Sequence, residues 1–250
     1  MQLDIITRIH DGENVHSSPR FVKESKQEII YRCLRSLVKC IKEIPSEYRV
    51  KLTIVDDHSK PETLENVKKI AGPAATIVNL DTKGNGESMK VCYKVALENK
   101  ADLIYFCEDD WLHFPGCLAK MLEAWKLTTV SSGNQPVSIA PGDCWWDYIP
   151  DKVRPCHIIT TSNHHWRTND YTTFVMLCTR WTLMHYWDLF QRFTNYDSKN
   201  IVEDNSLCLM YKAPQNRVWL FSPIPALAIH LSDKEAPVVD WVSLWKENES

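Results

Sequence analysis

Apolar positions along this chain follow two alternating periods, and the alternation predicts its architecture. Short runs of β-formers at Leu3–Ile9, Val50–Val55, Ala75–Leu80 and Leu103–Cys107 read as strands. Between them, apolar residues recur at three- and four-residue steps. In Ser25–Ile44 the residues Ile30, Cys33, Leu34, Leu37, Val38 and Ile41 share one face, and Pro45 closes the helix. Pro61 opens a shorter helix to Ile70, which Gly72-Pro73 ends, and a third helix covers Ser88–Glu98. A fourth follows Pro115, with Leu118, Met121, Leu122 and Trp125 on one side. Strand–helix alternation of this kind predicts an α/β fold: a mostly parallel central sheet, helices on both faces and right-handed crossovers.

After residue 130 the pattern loosens. Pro136–Ala140, Cys156–Thr160, Thr172–Cys178, Val218–Phe221 and Ala226–His230 read as strands, and Trp181–Phe193 and Val202–Tyr211 as helices. Asp143–Arg154 reads as a Trp-rich loop and Ser162–Asp170 as an exposed one, while the tail after Ser232 has no clear pattern. At 250 residues the chain predicts one domain. Within it, 1–130 form a regular first half, 131–232 a second half, and 233–250 a tail.

Composition narrows the function classes. The chain is 44% hydrophobic and 24% charged with a formal net charge of −3, which gives no electrostatic case for a nucleic-acid partner. No apolar run approaches the roughly 18 residues of a membrane span. The nine cysteines include no C-x-x-C pair, and Cys33, Cys40, Cys92, Cys107 and Cys178 sit in apolar patterns as buried thiols. These features predict a cytoplasmic protein, or one facing the cytosol if it acts at a membrane.

Chemistry concentrates where two strands end in adjacent acids. The run D-L-I-Y-F-C-E-D-D-W finishes in Glu108, Asp109 and Asp110, and V-K-L-T-I-V finishes in Asp56-Asp57. All C-terminal ends of a parallel sheet face one edge, which is where open α/β sheets bind ligands. Adjacent carboxylates repel, so either they form a solvated turn or a hard cation, Mg2+ or Mn2+, sits among them with a phosphate-bearing substrate. In that case Asp57 accepts hydrogen bonds from a base or ribose, and Asp110 binds the metal. Lys83, Arg8 and Arg167 are candidate phosphate contacts. The Trp145-Trp146 pair, brought off a strand end by Pro141-Gly142-Asp143, and Trp166 are either sugar-stacking surfaces or core.

V-D-D-H-S after the second strand and F-C-E-D-D-W after the fourth resemble the two acidic signatures of family 2 glycosyltransferases with the GT-A fold. The loop K-G-N-G-E-S, with Lys83 and Asn85, resembles the family's third signature, and Ile201-Val202-Glu203-Asp204-Asn205 its catalytic acidic motif. The resemblance spans residues 3–230. Two departures stand out: His58 replaces the usual Gly, and the segment at Thr7-Arg8 lacks the usual Pro/Tyr/Asn pattern.

The resemblance implies a metal-dependent, inverting transfer from a nucleotide-sugar donor to a glycan, lipid-linked or protein-linked acceptor. The first half would bind the nucleotide, through Thr7, Arg8, Asp56, Asp57, Lys83, Asn85, Glu108 and Asp109. Asp110 and His230 would hold Mn2+ or Mg2+, with Asp109 on the ribose or a metal-bound water. Asp204, or else Glu203, would be the base, although an Asp at a helix start also serves as a cap. A non-catalytic sugar- or nucleotide-binding module on the same scaffold is the rival reading. A sugar nucleotidyltransferase fits less well, since the loop after Ile9 has only Gly12, and no G-x-G-x-x-G supports a dinucleotide dehydrogenase.

Overall fold

The computed structural model describes residues 1–12, 20–144, 148, 155–196, 200–212, 218–231 and 239–249. The first half is the expected alternation: β1 Gln2–Ile9, α1 Lys26–Lys42, β2 Arg49–Asp56, α2 Pro61–Ala71, β3 Thr76–Asn79, α3 Asn85–Asn99 and β4 Leu103–Glu108. β1 to β4 are parallel in the order β3-β2-β1-β4. Their register pairs Ile9 with Asp56 and Arg8 with Glu108, so both acidic strand ends lie on one edge. Leu103 to Cys107 are all buried, which explains why this strand shows no alternation.

Beyond β4 come β5 Trp111–His113, α4 Cys117–Ser131, β6 Val137–Ile139, β7 Ile158–Thr160, β8 His165–Asn169, β9 Met176–Thr179, α5 Arg180–His185, α6 Trp187–Phe193, β10 Trp219–Ile224, β11 Ala228–His230 and α7 Trp241–Glu247. The central sheet continues β4-β9-β6-β10-β8-β7, with β9 antiparallel to β4 and β8 antiparallel to β10. Parallel pairing therefore governs the first half and mixed pairing the second. α1 packs on α2 and α4, whereas α3 packs on α5 and α6, so helices cover both faces. The five cysteines expected to be buried thiols are buried and free.

Several second-half expectations change. Val202–Tyr211 forms two short 3-10 turns, Glu203–Asn205 and Leu207–Met210, not one helix. Asn205 accepts from the Val202 N–H, and the Ser206 hydroxyl donates to the Val202 carbonyl. Such side-chain bonds compete with the helical ladder. Trp181–Phe193 breaks at Tyr186. Ser162–Asp170 is no exposed loop, because β8 runs through it and puts Trp166 wholly in the core.

The tail, for which no element was expected, carries α7. Asp240 caps it by accepting from the Ser243 N–H, while Leu244 and Trp245 bury against Val22, Ile29, Leu112 and Leu231. β5 and β11 form a separate antiparallel pair, placing His230 opposite Trp111 at the end of the acidic run.

Gly86, in the first turn of α3, packs against the end of α6. A Cβ there would clash with the Thr194 carbonyl oxygen, and backbone cannot swing aside. Gly86→Ala is expected to cost about 1–3 kcal/mol, read as a Tm lowered by roughly 2–10 °C in thermal unfolding.

Candidate functional site

Each carboxylate of the Glu108-Asp109-Asp110 run meets its own basic side chain, and each of these comes from a different element. Arg8 of β1 pairs with Glu108 and also donates to Asn85, to Ser88 (3.1 Å) and over the Phe174 ring. Lys26, the first residue of α1, reaches Asp109 at 2.5 Å, and the His10 N–H donates to the same carboxylate at 2.8 Å. His230 Nε2 of β11 stands 3.3 Å from Asp110, and its ring stacks on Trp111.

Electrostatics follow this pairing. Burial pushes Lys26 down, but Asp109 and Asp110 outweigh it and raise the ammonium pKa. Burial alone would raise Asp110; the charges of His230 and Lys26 hold it well below the usual carboxylate range. Asp109 is raised by burial, which Lys26 only partly offsets. Burial also works against Arg8, and Glu108 reverses it. The acidic run is therefore internally compensated, not bare.

On the neighbouring strand the two aspartates separate. Asp56 is sealed in and accepts from the Ser59 N–H at 3.1 Å, so it shapes the turn and offers nothing to a ligand. Asp57 accepts from the Gly84 N–H at 3.1 Å and lies 3.1 Å from His58 Nδ1. Gly84 thus ties the K-G-N-G loop to the β2 end. His58 occupies left-handed backbone, φ 58°, where Gly would sit without strain.

Other expected contacts are corrected by burial and pairing. Thr7 is 2% exposed within β1 and cannot reach a nucleotide at the open edge. Arg8 pairs with Glu108 and donates to Asn85, and Arg167 donates to Asp143, so each is held by a protein partner. Trp166 is fully enclosed, its indole N–H bound to Thr161, which excludes a sugar-stacking role. Lys83 is exposed at the rim. Trp145 and Trp146 lie outside the described residues.

Across the edge, the two candidate bases point differently. Asp204 is 63% exposed at its side chain and is bound by Lys212 at 2.6 Å. Glu203 turns inward, where burial, then the charges of Glu108 and Asp204, raise its carboxyl above the usual range against a hydrogen bond from Tyr171. Lys26 and His10 are the members that sequence reading missed. A cation at N1 opposes the helix dipole, and that misfit at Lys26 was the one available signal.

The family model described as glycosyl transferase family 2 matches residues 22–191. That span holds Lys26, Asp57 and the acidic run, and stops before Glu203, Asp204 and His230. The S. aureus TarS 1–349 crystal structure is 17% identical, with a TM-score of 0.51 over 89% of this chain and 60% of that one. Its complex with UDP-GlcNAc is 16% identical, with a TM-score of 0.50 over 89% and 58%. Against the S. aureus TarS structure the figures are 18%, 0.51, 99% and 39%. This chain therefore spans less than two thirds of these proteins, and at such identity the likeness concerns the fold. No curated protein matches the chain.

Proposed function

We propose, from the premise that the chain belongs to glycosyl transferase family 2, that it moves a sugar from a nucleoside-diphosphate donor to an acceptor hydroxyl with inversion. The observation that carries this reading is the shared edge: Asp57, Asp109 and Asp110 follow the C-terminal ends of the parallel strands β2 and β4, and His230, from the antiparallel β5–β11 pair, meets Asp110 there. Asp57 takes the base or ribose, with Lys83 at the rim. Asp109, held by Lys26, faces the ribose side.

Asp110 and His230 suit a divalent cation. They are partly exposed, at 20% and 33%, and they combine a hard oxygen with an imidazole, which favours Mn2+ over Mg2+. Among the described residues no three His, Cys, Asp or Glu side chains form a complete cage. Substrate oxygens and water would therefore supply the remaining ligands. The ion, once bound, offsets the charge that develops on the leaving diphosphate.

Glu203 is the base in this account. Its inward carboxylate takes the proton of the acceptor hydroxyl as that oxygen bonds to the anomeric carbon and the nucleoside diphosphate departs. A single displacement from the face opposite the leaving group inverts the anomeric centre. Asp204, the base implied by resemblance, is instead engaged by Lys212. The acceptor is a glycan, lipid-linked or protein-linked. Among the described residues no helix is long and apolar enough to cross a membrane, and the buried free thiols suit a reducing, cytoplasmic setting.

A TarS complex contains UDP-GlcNAc, which makes that compound the first donor to test. UDP release with Mn2+ across an acceptor panel, with mass spectrometry of the products, reads the activity. Nucleotide binding without sugar release from any donor would favour the binding-module reading.

A further inference from the structure

Lys26 occupies a position that stability alone does not favour. Its side chain is 5% exposed, a long flexible chain is held in one geometry, and it starts α1, where the helix dipole repels a cation. Buried ion pairs return little net stability against an apolar replacement. What the position achieves is local: Nζ lies 2.5 Å from Asp109, and its charge also acts on Asp110.

The tail helix braces that position. The Trp245 indole donates to Glu24 at 2.8 Å, just before the Ser25 cap of α1. In return α1 supplies three cations to the carbonyls at the end of α7. Arg32 donates to Trp245 O at 3.2 Å and stacks 4.5 Å over its ring, Arg35 donates to Asn248 O at 2.9 Å, and Lys39 to Glu247 O at 3.0 Å. Cations at a helix C-terminus satisfy the orphan carbonyls and complement the dipole. The same small core holds Leu231, next to His230. One brace thus sets both Lys26 and the β11 end.

We propose that Lys26, braced by α7, is a positioning residue of the donor site. It fixes Asp109 and supplies a permanent positive charge beside the diphosphate, leaving Asp110 and His230 as the metal-binding pair. The proposal rests on the glycosyltransferase reading for its ligand. It goes beyond that reading in assigning a site role to a helix-start lysine and to the tail.

Its signature is two shifts of opposite sign. Removing the charge weakens the site for an anion and strengthens it for a cation. By calorimetry on the full chain, Lys26→Met is expected to bind UDP without metal about tenfold more weakly and Mn2+ alone about tenfold more tightly. Lys26→Arg restores most of both. Trp245→Phe keeps the packing but loses the Glu24 bond, and is expected to shift both constants the same way by a smaller factor. Val67→Ala, a core truncation in α2, is expected to lower Tm and leave both constants unchanged. A Lys26→Met protein with lowered Tm but unaltered UDP and Mn2+ affinities would overturn the proposal, as would absence of Mn2+ uptake by both proteins. If the wild type takes Mn2+ but no nucleoside diphosphate, the donor reading fails, and the Mn2+ arm still decides the role of Lys26.

Discussion

Glu203→Gln is expected to lower turnover by about 10²–10⁴-fold, the contribution of a positioned general base, while UDP still binds as in the wild type. Gln keeps the shape and the hydrogen bonding to Tyr171 but cannot accept the acceptor's proton. Asp204→Asn breaks only an exposed ion pair with Lys212, which contributes at most about 1 kcal/mol, and is expected to cost less than about tenfold. The reverse ranking would move the base to Asp204 and require its side chain to leave Lys212.

Stability separates the same variants. Burial raises the folded-state pKa of Glu203 above its unfolded value. Between the two values the unfolded chain carries more charge, so this group loses stability as pH rises through that window. At neutral pH Glu203→Gln is therefore expected to raise Tm while it lowers turnover, whereas at a pH below both values the stability difference vanishes. For the same reason the acid limb of the wild-type pH–rate profile is expected above the usual glutamate range. Thermal unfolding at two pH values and a pH–rate profile check both statements.

Asp110→Ala carries the second large effect. It removes one of two protein ligands for the cation and one carboxylate from beside Lys26, whose own pair with Asp109 stays. Loss of groups that only orient a ligand costs about 10–100-fold, so loss of a direct ligand is expected to lower turnover by at least about 100-fold. The metal-dependent part of UDP affinity should go with it. UDP affinity without metal should hold or improve, because the site has become more positive. Titration of UDP with and without Mn2+ separates these terms, and equal loss of both would point to a collapsed site.

The first half was legible because each of its elements follows one period. An unbroken apolar run at Leu103–Cys107 has no place except a strand covered on both faces, and its register fixes where Glu108 to Asp110 emerge. What the pattern could not separate was neighbours. Asp56 and Asp57 look alike in sequence, yet one closes a turn and the other meets the K-G-N-G loop. Glu203 and Asp204 likewise differ only in which one the 3-10 turn points inward. Lys26 was hidden for another reason: its partner lies 83 residues away, and pairing at that distance leaves no local periodicity. Trp166 was misplaced because a polar stretch on an antiparallel strand reads like a loop when its partner strand is unknown. The α7 brace depends on cations spaced along α1, which by themselves look like an ordinary solvated helix face.

The most direct test of the account is a thermal-shift panel of nucleoside diphosphates and nucleotide-sugars, each with and without Mn2+. A ligand that binds the native state raises Tm by mass action. The expected result is a shift for one nucleotide base that is enlarged by Mn2+ and loses its metal-dependent part in Asp110→Ala. Folded protein with no metal-dependent shift for any nucleotide would contradict a diphosphate–metal site at the Asp110–His230 edge.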